Sequence, residues 1–227
     1  GYKASDILQA NSVVWVEGPS ELIYLRYWIE CVDSSLVEGI HYSVMFYGGR
    51  LLSHLSGDGE EQDESEKGDV QKFIQLPSLN RNSLIIMDSD KDNEDDIINN
   101  TKERIKEEFE ENGGYVWITQ GREIENYLEY NDIQDALKAN HPKIYEGPDK
   151  GGPYDHAFYF RRNVKTGGTE GSIDEKANMV SIAKWIVDNH KQSFAKLDLN
   201  DRIYGVVNFI RKANGLDKIE IKAPSQD

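Results

Sequence analysis

Short runs of mostly apolar residues, each closed by polar or glycine-containing turns, recur through the first 118 residues of the chain. The four runs are Val13 to Val16, Tyr42 to Tyr47, Ser83 to Met87 and Tyr115 to Ile118. Continuous apolar runs of this length are typical of strands that are buried on both faces of a parallel sheet. We therefore predict four such strands.

Segments with helical periodicity lie between these runs. Pro19 and Ser20 suit the start of a helix whose apolar residues extend to Val32. A charged segment from Thr101 to Asn112 has Ile105 and Phe109 on one face and is followed by a glycine pair. Strands that alternate with helices predict an α/β fold, a mostly parallel sheet flanked by helices.

The pattern changes near residue 131. We predict helices from Asn131 to Asn140, from Ile173 to His190 and from Asp201 to Ala213, and a long loop over the glycine-rich stretch from Gly147 to Gly171. The sequence therefore predicts two parts, an α/β core over 1–130 and a mainly helical C-terminal extension over 131–227.

Composition narrows the possible functions. The formal charge is -15, so a protein that coats nucleic acid through a general basic surface is disfavoured, whereas a carboxylate-rich metal site is compatible with this charge. We interpret the acidic stretch 57–69 as a surface loop without a catalytic role. The single cysteine, Cys31, excludes a disulfide within the chain and a cluster of zinc-binding thiolates.

The ends and the hydropathy of the chain give weaker indications. No apolar run approaches the roughly 20 residues that span a bilayer, and no signal-peptide pattern is visible, so we expect no membrane association and a cytoplasmic location. The chain begins at Gly1 without a methionine, and we expect it to be part of a longer protein.

Acidic residues follow three of the predicted strands. Glu17 follows the first, Asp88 and Asp90 follow the third, and Glu123 and Glu125 lie shortly after the fourth. Because carboxyl ends of parallel strands meet at one edge of a sheet, these side chains are expected to converge. Residues two apart on an extended stretch share a face, so each pair is expected to point together.

Six carboxylates, with Glu21 of the first helical turn included, would repel one another unless cations were bound. Mg²⁺ or Mn²⁺, which prefer oxygen ligands, would remove that repulsion. The alternative for any single acid is a helix cap or a turn residue. Asp92 is better explained as the start of a solvated acidic loop.

Two motifs resemble a known family. The stretch from Val16 to Glu21 (VEGPSE), together with Met87 to Asp90 (MDSD), resembles the Toprim domain of topoisomerases, primases and some nucleases. The later stretch from Gly121 to Tyr127 (GREIENY), and the opening stretch from Ala4 to Asn11, resemble the OLD-type (overcoming lysogenization defect) ATP-dependent endonucleases. The resemblance covers most of residues 4–130 and thins after that.

This resemblance implies a Toprim (Rossmann-like) fold and an endonuclease or nickase that hydrolyses DNA phosphodiesters with two Mg²⁺ or Mn²⁺ ions. Glu17 and Asp88 would be catalytic, and the extension over 131–227 would complete the nuclease site. A C-terminal lysine, Lys176 or alternatively Lys184, would stabilise the developing phosphate charge. The implied metal ligands are Glu17, Glu21, Asp88, Asp90, Glu123 and Glu125. Many Toprim proteins have Asp at the position of Glu21, which as Glu is still an oxygen ligand.

The same resemblance implies partners. An N-terminal ABC-type ATPase region, absent from this chain, would precede it, a homo-oligomer could form through that region, and a role in phage defence is plausible. The residues themselves indicate candidate DNA contacts at Arg161, Arg162 and Lys165, although neighbouring aromatics also fit a strand, and a weaker one at Arg50. Two alternatives remain open, a primase- or topoisomerase-like Toprim enzyme and a non-catalytic metal-binding module that regulates an ATPase.

Overall fold

The structure is a computed structural model that describes residues 10–47, 82–166 and 169–224, without the side chains of 163–175. The predicted surface loop at 57–69 and the candidate DNA contact Arg50 lie outside the described residues.

The four predicted strands form one parallel sheet. They are β1 (Val13–Val16), β2 (Ser43–Phe46), β3 (Ser83–Met87) and β4 (Tyr115–Ile118), in the order β2-β1-β3-β4. Every pairing between neighbours is parallel. The predicted α/β class and parallel sheet are therefore confirmed.

Both faces of this sheet are buried, which explains the continuous apolar runs. Val14 and Val16 of β1 point into one hydrophobic cluster, whereas Val13 and Trp15 point into a second cluster on the opposite face. Side chains alternate along a strand, so a strand covered on both faces needs apolar residues at every position.

Five α-helices and one 3₁₀ helix accompany the sheet in the described part of the chain. They are α1 (Pro19–Val32), α2 (Asn100–Glu111), the 3₁₀ helix (Ile124–Tyr127), α3 (Tyr130–Asn140), α4 (Met179–Asn189) and α5 (Leu199–Ala213). The side chain of Asn99 caps α2 by accepting a hydrogen bond from the Lys102 amide, and Gly113, with φ of 76°, follows its last turn. These are ordinary start and stop signals of a helix.

The stretch predicted as a long loop instead forms a second, antiparallel sheet. Its strands are β5 (Tyr145–Pro148), β6 (Tyr159–Thr166) and β7 (Thr169–Lys176). The loop prediction was wrong, and the helix predicted from Ile173 begins only at Met179. Phe158 and Phe160 give the physical reason, because both are buried in the main core, and that burial outweighs the loop tendency of the surrounding glycines.

The second half of the chain shares the main core with the first. Residues of α1, α3, α4 and α5 belong to the same buried cluster as Val14, Leu84 and Trp117 of the parallel sheet. The boundary near residue 130 stays a prediction, but the helices beyond it pack directly on the sheet that carries the acidic residues.

We predict that Tyr127→Phe lowers the free energy of unfolding by about 2–3 kcal/mol. The buried Tyr127 hydroxyl accepts hydrogen bonds from the Trp117 indole (3.2 Å) and the Gln120 amide (2.9 Å), and it donates one to Asp198 (2.6 Å). Its removal leaves three polar groups without that partner. Urea unfolding, followed by tryptophan fluorescence, measures the loss.

Tyr24→Phe is the matched control. Tyr24 is also fully buried, but its hydroxyl has no hydrogen-bond partner among the described residues. We expect a change of less than about 0.5 kcal/mol, because only an unsatisfied hydroxyl is lost. Equal losses in the two variants would contradict the role given to the Tyr127 hydroxyl.

Candidate metal centre

Neighbouring strands bring three of the predicted ligands together. Because β1 pairs with β3, the residues that directly follow these strands, Glu17 and Asp88, lie side by side. Pro19 starts α1 immediately afterwards, and Glu21 is in its first turn. One carboxylate oxygen of each residue lies within 4.8 Å of the others. We call Glu17, Glu21 and Asp88 the acidic triad.

The backbone around the acidic triad fixes its geometry. Asp88 Oδ1 accepts a hydrogen bond from the Ile124 amide at 2.8 Å, and Glu21 Oε2 accepts one from the Ser20 hydroxyl at 3.0 Å. The loop after β4, which leads to Ile124, packs closely against the segment at Pro153 because Gly121 has no side chain. A Cβ there would lie 2.7 Å from the Pro153 carbonyl oxygen.

Burial and mutual repulsion raise the pKa of each acid in the acidic triad. The pKa of Glu17 rises from its ordinary value of 4.5 to about 7, through loss of solvation first and then through repulsion from Glu21 and Asp90. Loss of solvation also raises the pKa of Glu21, and it raises that of Asp88 well above its usual range, with Glu17 as the leading charge. A bound dication would stabilise the ionised forms of all three carboxylates.

Glu125 adds an independent indication that something binds at this edge of the sheet. Its side chain is 0% exposed, and within the described ranges neither carboxylate oxygen accepts a hydrogen bond. Burial, followed by repulsion from Glu21 and Glu123, raises its pKa well above the usual range. Buried carboxylates are ordinarily satisfied by protein groups, so Glu125, beside the acidic triad, is available to a cation or to a water molecule bound to one.

Glu123, another of the six predicted ligands, contacts the second half of the chain. Its Oε1 accepts a hydrogen bond from the Ala157 amide at 2.7 Å, and its Oε2 lies 3.0 Å from Nδ1 of His156. Both oxygens therefore have protein partners. Glu123 connects the carboxyl edge of the parallel sheet, where the acidic triad lies, to the segment that leads into β6.

Asp90 lies near the acidic triad but outside it. Its φ is 58°, a left-handed conformation, so the stretch from Asp88 to Asp90 is not extended and the two side chains do not share a strand face. The Asp90 carboxylate instead forms an ion pair with Lys102 of α2. That lysine is 2% exposed.

The predicted catalytic lysines are both exposed. Lys176 ends β7 and lies opposite Tyr159, whose ring contacts the ring of His156, the partner of Glu123. Lys184 lies on α4, between the buried residues Ala183 and Ile186 along the chain. Lys176 is paired with Tyr159 through the backbone, and no contact of either lysine side chain with the acidic triad is described, so the catalytic role of Lys176 stays a prediction.

Two residues of the predicted basic cluster, Arg161 and Arg162, point to opposite faces of β6, because they are adjacent on this strand. Arg161 is exposed and donates a hydrogen bond to the Pro148 carbonyl at 3.2 Å, whereas Arg162 is half-buried. The side chain of Lys165 lies outside the described residues. A DNA contact by these residues stays a prediction.

Sequence reasoning missed Lys102 and His156. Lys102 precedes Ile105 by three positions and Phe109 by seven, a helical spacing that places it on the buried face of α2. This spacing was a usable signal. The sequence contains no such signal for His156, because its contact with Glu123 depends on how the second sheet packs.

Comparison with protein-family models, with curated proteins and with solved structures finds no match for this chain. The resemblance to OLD-type Toprim nucleases therefore stays a prediction carried by the quoted motifs. Among the described residues, no helix combines the length and the apolar character needed to cross a membrane.

We predict that the metal-free protein loses stability as pH rises from 5.5 to 8. Unfolding returns the raised pKa of Glu17 to its ordinary 4.5, so the unfolded chain releases a proton that the folded chain keeps. The stabilisation is present below about pH 4.5 and is lost as pH rises through about 7, a change on the order of 2 kcal/mol. Thermal melting in EDTA measures it.

Glu17→Gln should reduce this pH dependence, because the neutral amide cannot ionise, whereas Asp88 and Glu125, whose pKa values are also raised, keep their share of it. Glu103→Gln, at a half-exposed site on α2, should leave it unchanged. Mn²⁺ should raise the melting temperature more at pH 8 than at pH 5.5, because it binds the ionised carboxylates. Stability that rises with pH in EDTA would contradict the prediction.

Proposed function

We propose that this chain is the metal-dependent phosphodiester hydrolase module of a DNA endonuclease or nickase. The observation that carries the proposal is the convergence of Glu17, Glu21 and Asp88, with the buried Glu125 beside them and without a protein partner in the described part of the chain. Carboxylates grouped in this way at the carboxyl edge of a parallel sheet are suited to hold Mg²⁺ or Mn²⁺.

Phosphodiester hydrolysis is the chemistry that such an ion supports best. A bound dication lowers the pKa of a water ligand and stabilises charge on the phosphate oxygens. The half-buried Glu17 and Asp88 leave an approach from solvent, whereas Glu21 is nearly covered. A second ion, as the family resemblance implies, would require ligands beyond the acidic triad, and Glu125 is the best placed of them.

The charge of the chain fits an enzyme that contacts DNA locally. With a net charge of -15, attraction to a polyanion has to come from bound cations and from a few basic side chains. Lys176 is the lysine we propose for stabilising the phosphate, because its strand neighbour Tyr159 contacts His156 at the carboxyl edge of the sheet. An attached ATPase region, a homo-oligomer and a role in phage defence belong to the same proposal.

The proposed function predicts Mn²⁺- or Mg²⁺-dependent nicking of supercoiled plasmid DNA that Asp88→Asn reduces at least about 100-fold. Asp88 is central because it lies between Glu17 of the neighbouring strand and the 3₁₀ helix that donates to it. Gel separation of nicked from supercoiled DNA gives the rate. The matched control is Asp95→Asn, the same change at an exposed loop residue.

Metal binding is measured in parallel, because it separates the candidate functions. One outcome is that the unaltered chain binds Mn²⁺ and Asp88→Asn does not, but neither this chain nor a longer protein that contains it cuts DNA. That outcome would favour the non-catalytic regulatory module. Primer synthesis or relaxation of supercoils would favour the other Toprim activities. Equal Mn²⁺ binding by the unaltered chain and by Asp88→Asn would contradict the metal centre itself.

A further inference from the structure

We infer that Lys102 is a fixed positive charge of the metal centre. Its ion pair with Asp90 keeps the Asp90 carboxylate outside the ligand shell of the first ion. The inference rests on the proposed metal centre and deepens it. The first ion is then bound by the acidic triad alone, and Lys102 takes the place that a further cation would otherwise occupy beside Asp90.

The burial of Lys102 is the first observation. Its side chain is 3% exposed, whereas the Asp90 side chain that pairs with it is 47% exposed. Exposed ion pairs form by chance on protein surfaces and contribute little. An ammonium group that is removed from water is costly and is kept where its charge is compensated by acidic neighbours. Lys102 therefore belongs to the carboxyl edge of the sheet and not to the solvated surface of α2.

Its position in α2 is the second observation. Lys102 is the third residue of the helix, and its amide donates to the capping side chain of Asn99 at 2.9 Å. The first turn of a helix carries a partial positive charge, so it disfavours a lysine. Burial and the helix dipole both oppose a cation at this position. The compensating attraction has to come from Asp90 and the acidic residues near it.

The backbone at Asp90 is the third observation. Its left-handed φ of 58° is accompanied by a hydrogen bond from its own amide to the Arg122 carbonyl at 3.0 Å. A non-glycine residue adopts this conformation at a cost. In this conformation the Asp90 carboxylate pairs with Lys102 of α2. Asp88, two residues earlier, instead lies in the acidic triad.

Lys102 also lies near the acidic triad, because its ion-pair partner Asp90 follows Asp88 by two residues. A fixed positive charge so placed opposes the binding of a dication. Removing that charge, and releasing Asp90 from the ion pair, should both strengthen cation binding.

The test is Mn²⁺ binding by the 227-residue chain at pH 7.5, measured by calorimetry or by the loss of the free-ion electron paramagnetic resonance signal. We expect Asp88→Asn to weaken binding at least about 100-fold and Asp90→Asn to change it less than about fivefold. We expect Lys102→Met to tighten it about tenfold. The double variant Asp90→Asn/Lys102→Met should bind as the unaltered chain does, because both partners of the ion pair are removed together.

Lys106→Met is the matched control. It removes one lysine charge from the next turn of α2, at a side chain that is 42% exposed and pairs with Glu103. We expect unchanged Mn²⁺ affinity. Lys102→Arg keeps the positive charge and should retain the affinity of the unaltered chain, so tighter binding by Lys102→Met alone would come from loss of the charge. If Lys102→Met fails to fold, Asp90→Asn decides the inference, because a ligand of the first ion would weaken binding as Asp88→Asn does. Circular dichroism in EDTA establishes which variants are folded.

Two outcomes would overturn the inference. If Asp90→Asn weakens binding as much as Asp88→Asn does, Asp90 is a ligand of the first ion. If Lys102→Met and Lys102→Arg both leave the affinity unchanged, Lys102 is not part of the metal centre. Failure of the proposed function looks different, because Asp88→Asn would then bind Mn²⁺ as well as the unaltered chain does.

Discussion

The repulsion among carboxylates at one edge of the parallel sheet is the constraint on which the rest of this structure depends. Glu17 and Asp88 follow paired strands, so the pairing that builds the sheet also brings their charges together. The sheet cannot form without this convergence. The protein meets the resulting cost through backbone and hydroxyl donors, through Lys102 and, as we propose, through a bound dication.

The surrounding architecture supports that arrangement. The helices of the second half cover the face of the sheet opposite α2, and the segment before β6 provides both partners of Glu123. The hydroxyl of Tyr127 joins the end of β4 to the start of α5. The residues after 131 therefore help to hold the loop that carries Glu123 and Glu125 against the ends of the strands.

In the candidate site, some carboxylates have hydrogen-bond partners from the protein and others have none, and this difference indicates which of them is available to a ligand. Glu123 has a protein partner for each oxygen, whereas Glu125 is completely buried and has none among the described residues. Stability alone would favour an apolar residue at the position of Glu125. A buried acid that serves stability poorly fits the cation that we propose at the adjacent acidic triad.

The sequence by itself determined the parallel sheet, and it placed the acidic triad at one edge of that sheet within a larger predicted set of six acids. Continuous apolar runs require cover on both faces, and acids that directly follow such runs can only meet at the carboxyl edge of the sheet. Period and position along the chain are local properties, so a sequence displays them. The four strands and the convergence of Glu17, Glu21 and Asp88 were predictable for this reason.

Only the tertiary structure decided the second sheet, the partner of Asp90 and the partners of Glu123. β6 forms within a glycine-rich stretch because Phe158 and Phe160 pack into the main core, whose other residues are distant along the chain. Asp90 departs from the extended backbone that its two-residue spacing from Asp88 suggested, and it pairs with a lysine that burial brings within reach. These features depend on long-range packing and on the electrostatic energy of the assembled site, and neither can be read from a local sequence pattern.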